Sequence, residues 1–196
     1  MDFTNSETKK NLLKAFAGES QARNRYTFAA SQARKQNLYV VEALFNFTAG
    51  QEKEHGELFY NHLASAAGEN IKIDGTYPID ISDSMASLLR SAEHNENEEY
   101  SDVYKNFSEV AREEGFSEIS VLFKNIAEIE NTHSQRFAKF AELLEQDRLF
   151  VSDVSTKWMC LNCGFVYEGT VVPPSCPVCR HDRGYFIRLE FIEKPL

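Results

Sequence analysis

Apolar residues recur every three or four positions from about Ser6 to Gln146, and four stripes of helical period can be laid along that stretch. The first carries Leu12, Phe16, Glu19, Tyr26, Ala30 and Ala33. The second carries Val41, Phe45, Thr48, Glu52, His55, Phe59, His62 and Ala66, after a short break near residues 36–39. Beyond Ala67, about 15 residues including Gly68, Asp74, Gly75 and Pro78 cannot continue a helix and read as a long crossover. Ser82 or Ser84 is placed to cap a third helix, with Met85, Leu89, Glu93, Glu96, Tyr100, Val103, Phe107 and Val110 on one face and Gly115 at its end. Ser117 is placed to cap the fourth, whose face holds Ile119, Leu122, Ile126, Glu130, His133, Phe137, Phe140 and Leu144. Two helical hairpins joined by one long crossover make a mainly α, four-helix bundle.

The helical period stops after Gln146. Residues 1–146 read as the bundle, 147–156 as a linker, and 157–196 as a small module of its own. All four cysteines lie in that module, Cys160 with Cys163 and Cys176 with Cys179, as two CxxC pairs with twelve residues between them. Two such turns brought together place four sulfurs at the corners of a tetrahedron, which suits Zn(II) or a single iron. Zinc would make the module structural; iron would let it pass one electron. About 40 residues hold too little core to fold strongly alone, so metal binding supplies much of the folding free energy. Trp158, Phe165, Tyr167 and Phe186 form the expected aromatic core.

Each stripe of the bundle carries carboxylates in the middle of an otherwise apolar face: Glu19, Glu52, Glu93 with Glu96, and Glu130. Converging in a helix core, these groups would desolvate and repel one another unless cations neutralise them. Two stripes add a histidine three residues after the glutamate, His55 after Glu52 and His133 after Glu130, on the same helix face. One glutamate from each of two helices and an ExxH from each of the other two is the ligand plan of dimetal bundles. The ExxH motifs lie 78 residues apart and Glu19 lies 77 from Glu96, so the halves read as a diverged repeat. Glu93 is then an extra carboxylate, while Glu98 and Glu99 read as part of a solvated acidic run. His62 reads as a core or rim residue, and neither His94 nor His181 is assigned to metal. Tyr26 and Tyr100 read either as core aromatics or as partners of the carboxylates. Oxygen-rich ligation with one histidine per metal suits iron or manganese better than zinc.

A net charge of -9 and a pI near 5.1 argue against a nucleic-acid partner. The polar N-terminus has no apolar targeting core, and no run approaches the roughly 18 apolar residues of a membrane span. The expectation is a cytoplasmic chain with no membrane contact, whose cysteines serve metal rather than disulfides.

The segments GESQARNRY around Glu19, QEKEH around Glu52 and His55, AEHNE around Glu93 and Glu96, and EIENTH around Glu130 and His133 resemble the rubrerythrins. The tail resembles rubredoxin through WMCLNCGFVYEG and CPVC, so the likeness covers essentially the whole chain. The resemblance implies a ferritin-like bundle holding two irons, a rubredoxin-like domain holding one Fe(Cys)4 iron, and reduction of hydrogen peroxide to water in defence against oxidative stress. It implies that Glu52 and Glu130 bridge the irons, that Glu19, Glu93 and His133 are terminal, and that Glu96 and His55 exchange on one iron. It further implies a homodimer fed by an external flavin- or rubredoxin-linked electron donor. Arg180, directly after the last cysteine, departs from the small residue that many such knuckles carry, as Gly164 does after Cys163. Two other readings of the residues are a ferroxidase that handles iron and a binding module built on a zinc ribbon; a large multi-subunit cage would mark the first and a colourless zinc-bearing tail the second.

Overall fold

The computed structural model describes residues 2–193. Helices α1 (Glu7–Lys35) and α2 (Tyr39–Asn61) form one hairpin, and the long irregular crossover leads to α3 (Met85–Glu98). A π-helical turn, Glu99–Val103, joins α3 to α4 (Tyr104–Glu113), and α5 (Ser117–Glu145) completes the bundle. α1 packs on α2, and the α3–α4 rod packs on α5. No helix among the described residues is long and apolar enough to cross a membrane.

Local chemistry sets the helix ends. The Ser6 hydroxyl accepts from Lys9 N at 3.1 Å and Ser84 from Ser87 N at 3.3 Å, the expected cap geometry. Ser117 departs from its expected role: it is the first residue of α5, and Phe116 holds the cap position without a side-chain bond. Three helices stop alike, on a left-handed residue: Asn37 (φ 58°), Gly115 (φ 91°) and Asp147 (φ 56°). In each, the following amide reaches back to close the turn, Leu38 to Ala33 O at 3.0 Å, Phe116 to Ala111 O at 2.8 Å and Arg148 to Leu143 O at 2.7 Å.

The two halves of the bundle match residue by residue. Along α1 the buried positions Leu12, Glu19, Tyr26 and Ala33 are spaced by seven; along α3–α4 the buried positions Leu89, Glu96, Tyr104 and Ala111 are spaced by seven, eight and seven. The additional residue lies between Glu96 and Tyr104, and the π turn is where the helix absorbs it while keeping both halves of the stripe facing inward. A single uninterrupted third helix, expected from the period, is therefore two helices offset by one residue.

The C-terminal module is a three-stranded antiparallel sheet in the order β2 (Val166–Val171), β1 (Val151–Cys160), β3 (Phe186–Arg188), followed by the single turn α6 (Glu190–Glu193). Residues 151–156, expected as linker, are already part of β1, and between the pairs Val151 with Val171 and Thr156 with Gly169 that strand bulges. Trp158 and Phe186 are fully buried, with Phe165 and Tyr167 packed beside them. The module seats on one end of the bundle, where Tyr185 stacks on Tyr39 with ring centroids 4.1 Å apart and Phe191 meets Phe140 at 5.6 Å. A Cβ at Gly184 would lie 1.9 Å from Asn37 O, so only glycine permits this approach.

Candidate metal centres

The two CxxC turns meet. Cys160 Sγ lies 3.7 Å from Cys179 Sγ and Cys163 Sγ 3.7 Å from Cys176 Sγ, and all four sulfurs fall within 4.8 Å of one another as free thiols. Each turn closes in the same way, Gly164 N donating to Cys160 O at 2.8 Å and Arg180 N to Cys176 O at 2.9 Å. Their φ angles match as well, 75° for Gly164 and 64° for Arg180, so the arginine keeps the knuckle's geometry in a conformation that favours glycine. Replacing Arg180 with glycine is expected to raise the module's stability by about 1 kcal/mol, read as a later denaturant midpoint for the iron–thiolate absorbance; an unchanged or earlier midpoint would show that the backbone there carries no strain. The amide of His181 pulls the Cys179 thiol down to about 6. Cys163, despite the Phe165 amide that lowers it, is pushed up to about 12 by burial and the neighbouring sulfurs. Two neighbouring thiols, Cys163 and Cys179, that differ so widely in their hold on a proton suit a cluster that gives up protons to a shared cation.

Inside the bundle, Glu19, Glu52, His55 and Glu130 form one group of potential ligand atoms, and Glu52, Glu96, Glu130 and His133 form a second, each within 4.8 Å. Glu52 and Glu130 belong to both. His55 Nδ1 lies 3.0 Å from Glu130 Oε1 and 3.1 Å from Glu52 Oε2; His133 Nδ1 lies 2.8 Å from Glu130 Oε2, 3.1 Å from Glu52 Oε1 and 3.2 Å from Glu96 Oε2. All six residues are buried. Yet Glu19 Oε2, Glu52 Oε1 and both oxygens of Glu130 lack an aligned hydrogen bond. Buried carboxylate oxygens that converge without hydrogen-bond partners are what a cation site leaves when only the protein is considered.

Two tyrosines complete the pseudo-symmetry. Tyr26 donates to Glu96 Oε1 and Tyr104 to Glu19 Oε1, each reaching from the partner half of the repeat. Tyr104 holds that position because of the offset at the π turn, since seven residues after Glu96 the sequence has Val103; Tyr100, only four after Glu96, does not fall there. His62 follows the last residue of α2 and joins neither group, and His94 and His181 are exposed.

Glu93 requires a correction. Its carboxylate is partly exposed and takes a 2.7 Å ion pair from Arg90 one turn back, so it does not reach the cluster. Glu99, which was expected to be solvated, is instead half-buried; it belongs to neither ligand group, but its charge acts on Glu19 and Tyr104. It lines a cavity of about 180 Å³ together with Gly18, Gln21, Arg25, Tyr77 and Tyr104. Burial, then the charges of Glu96, Glu130 and Glu52, hold its carboxyl well above the usual range. The sequence signal was present: Glu19 to Tyr26 is seven residues and Glu96 to Tyr104 is eight, which marks an insertion that a constant period slides past.

Without cations the cluster is under strong electrostatic tension. Burial, then neighbouring carboxylates, push Glu19 and Glu96 well up, although His133 opposes this for Glu96. Burial would lower both imidazoles, but the surrounding carboxylates outweigh it and raise His55 to about 9 and His133 to about 12. Burial would raise Glu130, but His133 and His55 outweigh it and bring it down to about 2. Glu19, Glu96, Glu99 and His55 thus bind protons more tightly folded than unfolded, and their contribution to stability fades as pH rises through their raised values. Glu130 works the other way: its contribution is present above about 4.5 and is lost only as pH falls through about 2. Metal-free protein is therefore expected to lose stability as pH rises from 6.5 to about 9. Melting curves of chelator-treated and iron-loaded protein check this; a metal-free melting point that is flat or rising across that range would contradict it.

A four-helix bundle with one long crossover and two carboxylate–histidine groups sharing two glutamates defines a ferritin-like dimetal protein. Residues 10–141 match the rubrerythrin family model, and residues 158–187 match the rubrerythrin rubredoxin-like domain. The rubrerythrins of Clostridium perfringens and Nitratidesulfovibrio vulgaris are 41% and 42% identical over 182 residues, covering 92% of this chain and 93% of theirs. Among solved structures, fully reduced, all-ferrous nigerythrin superposes with a TM-score of 0.62 at 29% identity, covering 92% of this chain and 86% of its own. A Desulfovibrio desulfuricans bacterioferritin, 20% identical over 72% of this chain and 82% of its own with a TM-score of 0.64, shares the fold. The chain belongs to the rubrerythrin family. It is an iron protein of an oxidoreductase family, with a carboxylate–histidine diiron site in the bundle and a rubredoxin-like four-cysteine iron site in the tail.

Proposed function

We propose that this protein is a hydrogen peroxide reductase that protects the cytoplasm from oxidative stress, drawing electrons through its Cys160, Cys163, Cys176 and Cys179 centre. The observation that carries this is the pairing, on one chain, of a buried cluster in which Glu52 and Glu130 each face both histidines with a site of four converging cysteines. Glu52 and Glu130, which belong to both groups, would be shared between the two irons, Glu19 with His55 would hold one, and Glu96 with His133 would hold the other. Glu99 replaces Glu93 as the seventh ligand, on the side of Glu19 and Tyr104, whose protons its charge helps to retain.

Two ferrous ions held there supply the two electrons that, with two protons, convert hydrogen peroxide into two waters. The chain's own residues do the rest. Tyr26 and Tyr104 hold Glu96 and Glu19 in place and keep a hydroxyl proton beside each carboxylate. The apolar walls of Phe45, Phe59, Phe123 and Phe137 exclude bulk water. The cavity at Glu99 and a groove of about 370 Å³ that reaches Glu19 and Glu52 between α1 and α2 admit a molecule as small as peroxide.

Electron entry favours a homodimer. The module seats at Tyr39, and Glu52 lies thirteen residues further along α2, about 20 Å at ~1.5 Å per residue. A second copy can bring its module alongside the cluster, and a flavin- or rubredoxin-linked protein can supply the electrons. Mixing reduced, iron-loaded protein with one equivalent of peroxide, and separately with dioxygen, tests the reading. Reoxidation is expected to be faster with peroxide and to be lost in Glu52→Ala. Equal rates with both oxidants, or unchanged turnover in the variant, would sink it.

A further inference from the structure

The crossover between α2 and α3 lies against α1 and α3 without secondary structure of its own. Among the described residues, no backbone–backbone hydrogen bond involves residues 70–83, so the segment is held through side chains. Two of these ties are exposed: Tyr77 Oη donates to Lys14 O at 3.2 Å, and Gln36 Nε2 donates to Asp83 O at 3.0 Å. A third is shielded. Asp80 turns inward, its side chain 17% exposed, and accepts from Arg25 of α1 and, at 2.8 Å, from Asn95 Nδ2 of α3. Arg25 Nε is in turn fixed by Gln21 Oε1 at 2.5 Å.

What lies on either side of this latch gives it a use. On the outer side is a pocket of about 610 Å³ bounded by Phe28, Ile79, Asp80 and Ile81. On the inner side is the cavity of about 180 Å³ that Asn95, Glu99 and Tyr104 line. Gln21, Arg25, Tyr77 and Pro78 line both and stand between them. A Cβ at Gly18 would lie 3.8 Å from Tyr77 Cε1 and 3.9 Å from Glu99 Oε1, so the phenol and the carboxylate meet over the space that this glycine leaves open. Tyr77 therefore sits across the approach to Glu99, on a segment that opens at low cost once its side-chain ties are released.

We infer that Asp80 is a specificity-determining positioning residue: by latching the crossover to Arg25 and Asn95 it holds Tyr77 across the cavity at Glu99 and keeps hydroperoxides bulkier than hydrogen peroxide out of the bundle. The inference rests on the peroxide reading and deepens it by naming the class of peroxide the site accepts. Hydrogen peroxide is little larger than water and slips past the phenol; an alkyl hydroperoxide passes only when Tyr77 swings away with the crossover. Opening would strip the shielded Arg25 of its carboxylate, which keeps the closed latch as the resting state.

Two measurements on full-length protein test this. In the first, reduced, iron-loaded protein is mixed with hydrogen peroxide or with tert-butyl hydroperoxide, which two electrons and two protons convert into tert-butanol and water. The wild type is expected to prefer hydrogen peroxide, and Asp80→Ala to shrink that preference by at least about tenfold, a ratio that partial loss of folded protein does not move. In the second, zinc-loaded protein, which has no redox chemistry, is treated with trypsin. Cleavage after the exposed Lys72 should be at least about tenfold faster in Asp80→Ala than in the wild type, because proteolysis tracks the open population. Asn95→Ala removes one of the two ties and should move both readings the same way by less; it decides alone should Asp80→Ala not fold. A wild type without preference, or an unchanged preference in a variant whose crossover trypsin finds open, would overturn the inference and assign entry to the groove between α1 and α2. Equal tryptic rates in all three proteins would overturn it too. If reduced wild type does not react with hydrogen peroxide, the proposed function falls, and the tryptic rates decide whether Asp80 is the latch.

Discussion

Glu130→Ala is expected to empty the bundle of iron while leaving the four-cysteine iron in place. Glu130 sends one oxygen to each histidine, at 3.0 and 2.8 Å, and both oxygens lack hydrogen-bond partners of their own. Among the described residues, only Glu52 shares this place in both ligand groups. Loss of an outer partner of a metal ligand typically costs about 10–100-fold in affinity or activity, and loss of a shared ligand must exceed that. Iron analysis should fall from three per chain toward one under the proposed inventory, and peroxide-driven oxidation should fall by more than about 100-fold. The metal-free protein should also be weakened, by about 3–5 kcal/mol, because Glu130 is the carboxylate that the two imidazolium groups hold ionised. Glu96→Gln should do the opposite to the metal-free protein and stabilise it, since that carboxylate is forced to carry a proton by burial and by Glu52. Retention of three irons per chain in Glu130→Ala would refute the bridging assignment.

Deleting Ser101 tests what the π turn is for. Ser101 is exposed and its hydroxyl bonds only Asn97 O, so the deletion removes the inserted residue at little direct cost. It restores the seven-residue spacing of α1, in which the position matching Glu99 is Ala22, buried and in contact with the core. A carboxylate forced into that methyl-sized place, without the wider turn and the cavity beside it, is expected to cost several kcal/mol. Adding Glu99→Ala should recover most of that loss and give one continuous helix with the six remaining ligand residues still convergent. Peroxide reduction should stay at least tenfold down in the rescued variant. If deleting Ser101 alone leaves both stability and turnover unchanged, the wide turn does not exist to house Glu99.

Glu99 also shows why part of the site was not legible. A constant helical period carried through residues 85–110 puts Glu93, Glu96 and Tyr100 on one face, and nothing local announces that the helix gains a residue there. The offset shows only when the second half is laid on the first, where 77 becomes 78 between Glu96 and Tyr104. Arg90, three residues before Glu93 and able to hold it at the surface, was the local hint against that residue. The left-handed stops at Asn37 and Asp147 were hidden too, because only at Gly115 does a glycine advertise the conformation.

The order of residues settles a good deal unaided: four apolar stripes, a break long enough to cross the bundle, two ExxH motifs and two CxxC pairs. These follow from regular backbone periods, which repeat along the chain and need no partner to be recognised. Folding alone decides that Glu93 turns to Arg90 while Glu99 is half-buried beside a cavity, that Tyr104 serves Glu19, and that Gln51 and Arg136 meet at His133. Such contacts join residues tens of positions apart through packing and through one inserted residue's shift in phase, so no stretch of the chain, taken by itself, contains them.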